Sequence, residues 1–166
     1  MKKDEAILRS KQIRQQKKKR VLLALDPAEK FGWAISNDLY GTWNFKLKKD
    51  ESFSMKLIRL RAKLKEMLHL NSISIVVFER PSGHHANAII SHSKFVGIIE
   101  MFCTEENIPY KGYSAKEIKK FATNNGNAGK PLMIKKAQEL LGYKGEDDNE
   151  ADALWLLNLA KQDLSL

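Results

Sequence analysis

Three acidic residues each lie at the end of an apolar segment, where a fold can present them for chemistry. The apolar run 21–25 leads directly to Asp26, the segment 73–78 leads to Glu79, and Asp152 lies near the start of a late apolar helix. A single acid before a turn often only caps backbone donors. Convergent carboxylates, however, repel one another unless a cation is present, and oxygen ligands are what Mg²⁺ and Mn²⁺ prefer. Together, the three acids predict a divalent-metal site.

The pattern of apolar residues predicts the elements that must position these acids. Strands are expected at 20–26, 31–35, 42–47, 73–79 and 110–113, and helices at 53–69, 87–106, 115–122, 131–141 and 148–161. The first three strands form an antiparallel meander, and the helix that follows is a crossover, which normally returns the chain parallel to an earlier strand. Pairing of the fourth strand beside the first would bring Asp26 and Glu79 together. The expected fold class is α/β, a five-stranded mixed sheet with flanking helices.

Length and charge indicate one globular domain with a basic arm. The 166 residues fit a single core, and residues 1–20 hold nine of the 29 Lys and Arg but only two of the 20 acids. We therefore expect an arm over 1–19 and a domain over 20–166. Such an arm favours a polyanionic partner, which predicts DNA contacts for Lys17, Lys18, Lys19 and Arg20. The alternative is a solvated tail.

The cysteine content and the length of the apolar runs indicate the cellular compartment of the protein. Cys103 is the only cysteine, so no internal disulfide can form and nothing indicates an oxidising compartment. The apolar runs are too short to span a bilayer. The expected location is cytoplasmic.

Several short motifs carry a family resemblance over about residues 20–160. They are Leu25-Asp26-Pro27, Gly32-Trp33-Ala34, Phe78-Glu79-Arg80-Pro81, Ala128-Gly129-Lys130 and Glu150-Ala151-Asp152-Ala153-Leu154. Their order and spacing resemble the RuvC-like Holliday junction resolvases, particularly the bacteriophage members. The resemblance implies a ribonuclease H-like fold, a homodimer, and hydrolysis of branched DNA with two ions, Mg²⁺ or substituting Mn²⁺. It implies Asp26, Glu79 and Asp152 as metal ligands, and the host cytoplasm if the chain is phage-encoded.

Two lysines have the separation that this family uses for basic groups near the scissile phosphate. Lys119 and Lys130 flank an Asn- and Gly-rich loop and could orient and neutralise that phosphate, so Lys130 joins the three acids as a candidate catalytic residue. The alternative is two solvated surface lysines.

The chain departs from the family at the fourth ligand. Many members carry Asp or His three residues before the final acid, whereas this chain carries Asn149, preceded by Asp148 and Asp147. On a regular helix, Asn149 lies about 60° from Asp152, Asp148 about 40° on the other side, and Asp147 about 140° away. Asn149 and Asp148 therefore both remain candidate metal ligands.

The loop after Glu79 is a second departure. It contains His84 and His85 but no aromatic residue to insert into a junction, so strong sequence preference is not expected. With a single cysteine, a structural zinc site is improbable. We therefore interpret His84, His85 and His92 as surface or DNA-facing residues.

The sequence leaves three functions open. The leading hypothesis is a metal-dependent endonuclease that cleaves Holliday junctions and other branched DNA. The alternatives are a non-catalytic branched-DNA binding protein and an RNA/DNA-hybrid nuclease, since fold alone does not choose a substrate. The broad apolar surface of helix 87–106, with Ile90, Phe95, Ile98 and Phe102, further predicts a homodimer interface.

Overall fold

The computed structural model describes residues 20–166. The predicted arm, including Lys17, Lys18 and Lys19, lies outside the described residues. The strands are β1 Leu22–Asp26, β2 Lys30–Ser36, β3 Leu39–Asn44, β4 Ile75–Glu79 and β5 Tyr110–Tyr113. The helices are α1 Ser54–Asn71, α2 Ala86–Glu105, α3 Ala115–Thr123, α4 Lys130–Leu141 and α5 Asp148–Asp163. All ten expected elements of the domain are confirmed, with ends shifted by up to three residues.

The five strands form one mixed sheet in the order β3-β2-β1-β4-β5. β1 pairs antiparallel with β2 and parallel with β4, and β4 pairs parallel with β5. The predicted crossover through α1 is therefore confirmed. Because β1 and β4 are parallel neighbours, their carboxyl ends meet at the same edge of the sheet.

Helices cover both faces of the sheet. Leu22 and Ala24 of β1 face one core with α3, α4 and α5, while Leu23 and Leu25 face a second core with α1 and α2. Successive strand residues point to opposite faces, and a strand covered on both sides is apolar throughout, as β1 is. Only the last residue of β1, Asp26, carries a charge.

The sequence predicted a broad apolar surface on α2 that is free for a homodimer interface, and this prediction was partly wrong. Phe95 and Phe102 are each only 2 % exposed and pack into the core beside α1. Ile98 is partly buried, while Ile90 and Met101 are exposed. A helix packed on a sheet and also against a second helix needs a wide apolar face for its own core. The exposed apolar surface is therefore narrower than the sequence indicated.

No helix within residues 20–166 is long and apolar enough to cross a membrane. Cys103 is a buried free thiol, and burial raises its pKa to about 12. This thiol is therefore protonated at neutral pH and behaves as a small apolar residue of the core.

Candidate active site

Asp26 and Glu79 are the last residues of two neighbouring parallel strands, β1 and β4. Asp152 lies in the second turn of α5, which packs across both strands. The three side chains are close enough to influence one another electrostatically: Glu79 and Asp152 both raise the pKa of Asp26. The structure thus brings together the three acids that the sequence singled out.

The pKa values of these acids show that their negative charge is poorly compensated. Burial is the largest cause that raises the pKa of Asp26 well above its usual range, followed by the charges of Glu79, Asp152 and Asp148. Burial and the charge of Asp152 raise the pKa of Glu79 to about 7. Burial and the charge of Asp148 raise that of Asp152 to about 6. Such a cluster is destabilising unless positive charge enters it.

Two lysines supply part of that positive charge. Lys119 of α3 lowers the pKa of both Glu79 and Asp152, and Lys130 lowers that of Asp26 and Asp152. The helix that carries Lys119 begins with a capping box, in which Ser114 and Glu117 each accept a backbone N–H of the other. Both predicted lysines therefore lie within electrostatic reach of the acids, while the Lys130 side chain is also 74% exposed to solvent.

Asp148 and Asn149, the two candidates for the fourth ligand, have different environments. Asp148 raises the pKa of Asp26 and Asp152, and its carboxylate forms an ion pair with Lys130. The side-chain amide of Asn149 donates to Asp147 Oδ1 at 3.2 Å. The structure thus places Asp148 within the electrostatic cluster and ties the Asn149 amide to Asp147.

Asp147 caps the helix that carries these residues. Its Oδ1 accepts the backbone N–H groups of Asn149 at 2.9 Å and Glu150 at 3.3 Å, and its other oxygen pairs with Lys30 of β2. The Tyr143 hydroxyl accepts the Asp147 N–H at 2.9 Å and donates toward Glu150. Asp147 is therefore a positioning residue at the start of α5, consistent with its predicted exclusion from the ligands.

The sequence predicted no structural role for Gly32, although this residue lies beside Asp26 in the sheet. Gly32 pairs with Asp26 across β1 and β2, and a Cβ built on Gly32 would lie 2.1 Å from the backbone oxygen of Asn149. The absent side chain lets α5 approach the sheet closely enough to bring Asp152 beside Asp26. A glycine inside a strand is a sequence signal for such a close approach.

His92 was expected at the surface or facing DNA. It is partly buried on α2, and its Nε2 lies 2.8 Å from the backbone oxygen of Glu79. Burial lowers the pKa of His92. His84 and His85, by contrast, are exposed in the loop between β4 and α2.

Arg20 lies far from the acids. It lines a groove of about 430 Å³ with Ser74, Pro109 and Lys111, which lie beside the amino ends of β1, β4 and β5. The acids lie at the carboxyl ends of β1 and β4, so Arg20 is at the opposite edge of the sheet. The structure therefore does not bring this predicted DNA-binding residue to the acidic cluster.

The donor set suits a hard divalent cation, although its side chains are not yet arranged around one. Within residues 20–166, no three acidic, histidine or cysteine side chains stand together in a metal-binding arrangement. Partly buried carboxylates with raised pKa values, flanked by Lys119 and Lys130, nevertheless match the chemistry of an oxygen-ligand site. At such a site, the ion pair of Asp148 with Lys130 would compete with a cation for the Asp148 carboxylate.

Comparison with solved structures identifies the class of fold. RuvC of Thermus thermophilus in complex with a Holliday junction substrate has a TM-score of 0.71 and 20% identity, and the match covers 88% of this chain and 94% of that one. The yeast mitochondrial Holliday junction resolvase has a TM-score of 0.56 and 12% identity, over 84% of this chain and 77% of that one. The chain has the ribonuclease H-like fold of these resolvases.

Sequence comparison finds similarity to two proteins named RuvC. The chain is 27% identical over 112 residues to the crossover junction endodeoxyribonuclease RuvC of Corynebacterium glutamicum, covering 67% of this chain and 50% of that protein. It is 38% identical over 58 residues to RuvC of Brachyspira hyodysenteriae, covering 35% of this chain and 36% of that protein. The chain thus spans half or less of the length of these relatives. No protein-family model matches it. In sequence and fold, the chain is similar to the RuvC-like Holliday junction resolvases.

Proposed function

We propose that this protein is a metal-dependent, structure-selective DNA endonuclease that cleaves Holliday junctions and other branched DNA. The observation that carries the proposal is the convergence of Asp26, Glu79, Asp152 and Asp148, with Lys119 and Lys130 alongside, at the carboxyl end of β1 and β4. The names of its relatives, crossover junction endodeoxyribonucleases, supply the substrate class.

The proposed cofactor is a pair of Mg²⁺ ions, with Mn²⁺ as a substitute. Asp26, Glu79 and Asp152 would hold them, with Asp148 as the favoured fourth ligand and Asn149 as the other candidate. When bound, a pair of such ions activates water and stabilises the leaving oxygen of a phosphodiester, so no nucleophilic side chain is needed.

The lysines have a separate role in this proposal. The Lys130 ammonium, now paired with Asp148, and Lys119 lie beside the acids, where they would neutralise and orient the scissile phosphate. The exposed His84 and His85 would contact the DNA backbone from the loop after Glu79. These side chains bind and position the substrate, while the carboxylates hold the cations.

Cleavage of a substrate panel tests the proposal. Four-way junctions, forks, linear duplexes and RNA/DNA hybrids are incubated with the protein, with and without Mg²⁺. We expect Mg²⁺-dependent cleavage of the branched DNA only. Tight junction binding without cleavage would favour the non-catalytic alternative, and preferred cleavage of the hybrid would favour the RNA/DNA-hybrid nuclease.

The fourth ligand gives a graded prediction. We expect Asp148→Asn to weaken the apparent Mg²⁺ affinity about three- to tenfold, and Asp152→Asn to weaken it more than about a hundredfold, because Asp152 belongs to the central cluster. Asn149→Asp should preserve or raise activity at low Mg²⁺, since it adds a carboxylate at the start of α5. Cleavage titrated against Mg²⁺ measures all three. An inactive Asn149→Asp together with a normal Asp148→Asn would contradict the assignment.

We further propose a homodimer formed through the exposed face of α2. Ile90 is 52% exposed and Met101 is 42% exposed, and the two lie about three turns apart along this helix. Symmetric packing of two copies through this face of α2 would position two active sites, each able to cut one of two opposing DNA strands.

Light scattering at micromolar concentration tests the dimer. We expect a dimer for the parent and a monomer for Ile90→Lys, because a charge at the centre of an apolar interface is costly to bury. Ile58→Lys, at an equally exposed position of α1, is the matched control and should leave the dimer intact. A monomeric parent, with and without junction DNA, would contradict the proposal.

The remaining parts of the proposal concern regions or properties beyond the site. The arm over 1–19 is proposed to contact phosphates without sequence preference through Lys17, Lys18 and Lys19, and Arg20 would extend that contact along the far edge of the sheet. We also propose that the protein is of the bacteriophage type and acts in the cytoplasm, which is the host cytoplasm if the chain is phage-encoded.

A further inference from the structure

The ring of His92 meets the end of the strand that carries Glu79. Its Nε2 lies 2.8 Å from the Glu79 backbone oxygen, which can only accept a hydrogen bond. Nε2 must therefore carry the proton and donate it. The contact joins the second turn of α2 to the carboxyl end of β4.

The Glu79 carbonyl needs this donor because the ladder between β1 and β4 ends early. The backbone N–H of Ile75 donates to Val21 O, and the parallel register continues to the pair Leu25 and Phe78. In a parallel ladder, every second residue of one strand forms hydrogen bonds with the same neighbour, and on β4 these are residues 75, 77 and 79. Continued in this pattern, the ladder would pair the backbone oxygen of Glu79 with the N–H of residue 27. Residue 27 is proline, which has no N–H. His92 thus replaces the missing backbone donor.

The opposite side of the same strand end is held by β5. Glu79 pairs with Tyr113, and the backbone N–H of Arg80 donates to Tyr113 O at 2.8 Å. With His92 on one side and β5 on the other, the backbone of Glu79 is fixed at the point where the chain leaves the sheet. Loss of the His92 donor would leave a carbonyl unpaired beside the acidic cluster and free this side of the strand end.

We propose that His92 is a positioning residue that holds the end of β4 so that the Glu79 carboxylate is aimed at the cation site. The inference rests on the proposed function, in which Glu79 is a cation ligand. Partners that orient metal ligands commonly change metal affinity when they are removed. The donated hydrogen bond, rather than the bulk of the ring, is the feature that matters.

Two substitutions separate the hydrogen bond from packing. His92→Gln keeps an N–H donor near the place of Nε2, whereas His92→Leu fills similar space without a donor. His69→Leu is the matched control, because His69 is exposed in the last turn of α1, on the far side of the fold from the acids' strand ends. Thermal unfolding without metal confirms that each variant is folded.

The main measurement is Mn²⁺ binding by calorimetry in the absence of DNA, followed by the Mg²⁺ dependence of junction cleavage. We expect His92→Leu to weaken Mn²⁺ binding about tenfold and to shift the Mg²⁺ dependence of cleavage in parallel, with His92→Gln within about threefold of the parent. DNA binding without metal should be unchanged in both variants.

Two results would overturn the role of His92. One is Mn²⁺ affinity in His92→Leu equal to that of the parent, and the other is equal weakening in His92→Gln and His92→Leu, which would assign the effect to packing. A parent that binds Mn²⁺ but cleaves no branched DNA would instead reject the nuclease proposal, and the comparison of Mn²⁺ affinities would still decide the role of His92.

Discussion

Replacing Asp26 with Asn, or Glu79 with Gln, is expected to lower the rate of junction cleavage at least about a thousandfold while DNA binding stays within about twofold. Each substitution removes a charged cation ligand but leaves Lys119, Lys130 and the exposed basic surface in place. Single-turnover cleavage and binding without metal measure the two effects separately. Asp38→Asn and Glu106→Gln are matched controls, because both residues are exposed and outside the site. Near-normal cleavage by either site variant would reject the metal-dependent mechanism.

The same substitutions should make the metal-free protein more stable. Burial is the main cause that raises the pKa of Glu79 in the folded protein to about 7. The ionised carboxylate therefore destabilises the fold. This cost begins as the pH rises above the pKa of Glu79 in the unfolded chain, and it is fully present above pH 7. At pH 8, Glu79→Gln removes that cost, and we expect the free energy of unfolding to rise by about 1–2 kcal/mol. Denaturant unfolding at pH 8 and at pH 4 measures it, and the gain should vanish at pH 4. A destabilised Glu79→Gln would mean that lost cleavage reflects a damaged fold.

Gly32→Ala is expected to produce the second large effect. Its Cβ would lie 2.1 Å from the Asn149 oxygen and 2.6 Å from the Asn149 carbonyl carbon. Both are backbone atoms, so α5 must shift away from β2 rather than rotate a side chain. We expect a loss of about 2–4 kcal/mol in the free energy of unfolding. Because Asp152 moves with α5, cleavage by the folded fraction should fall by about a hundredfold.

Gly97→Ala is the matched control for the loss of stability alone, because Gly97 lies between Ile90 and Met101 on the proposed dimer face of α2. A Cβ at Gly97, on the exposed side of α2, meets nothing within 4 Å. Alanine also favours a helix over glycine, so this variant should gain up to about 1 kcal/mol. Denaturant unfolding of both variants is compared, and cleavage by Gly32→Ala is compared with that of the parent. Normal stability and cleavage in Gly32→Ala would show that α5 does not depend on this close approach.

Much of the architecture follows from local sequence. The apolar run before Asp26, the amphipathic helix 53–69 and the second apolar strand before Glu79 predicted parallel neighbours, and the structure confirms this pairing. The reason is general: crossovers return strands parallel, and carboxyl ends of parallel strands meet at one edge. The sequence by itself therefore predicted that Asp26 and Glu79 lie together.

The tertiary structure decided what surrounds those acids. The angular positions of Asp148 and Asn149 on α5 left both as candidates, and only the packing of α5 on β2 at Gly32 places Asp148 among the acids while Asn149 bonds to Asp147. The contact of His92 with Glu79 likewise joins residues on different elements. Local patterns determine which residues an element presents, but the depth and rotation at which two elements pack depend on contacts between residues far apart in the chain.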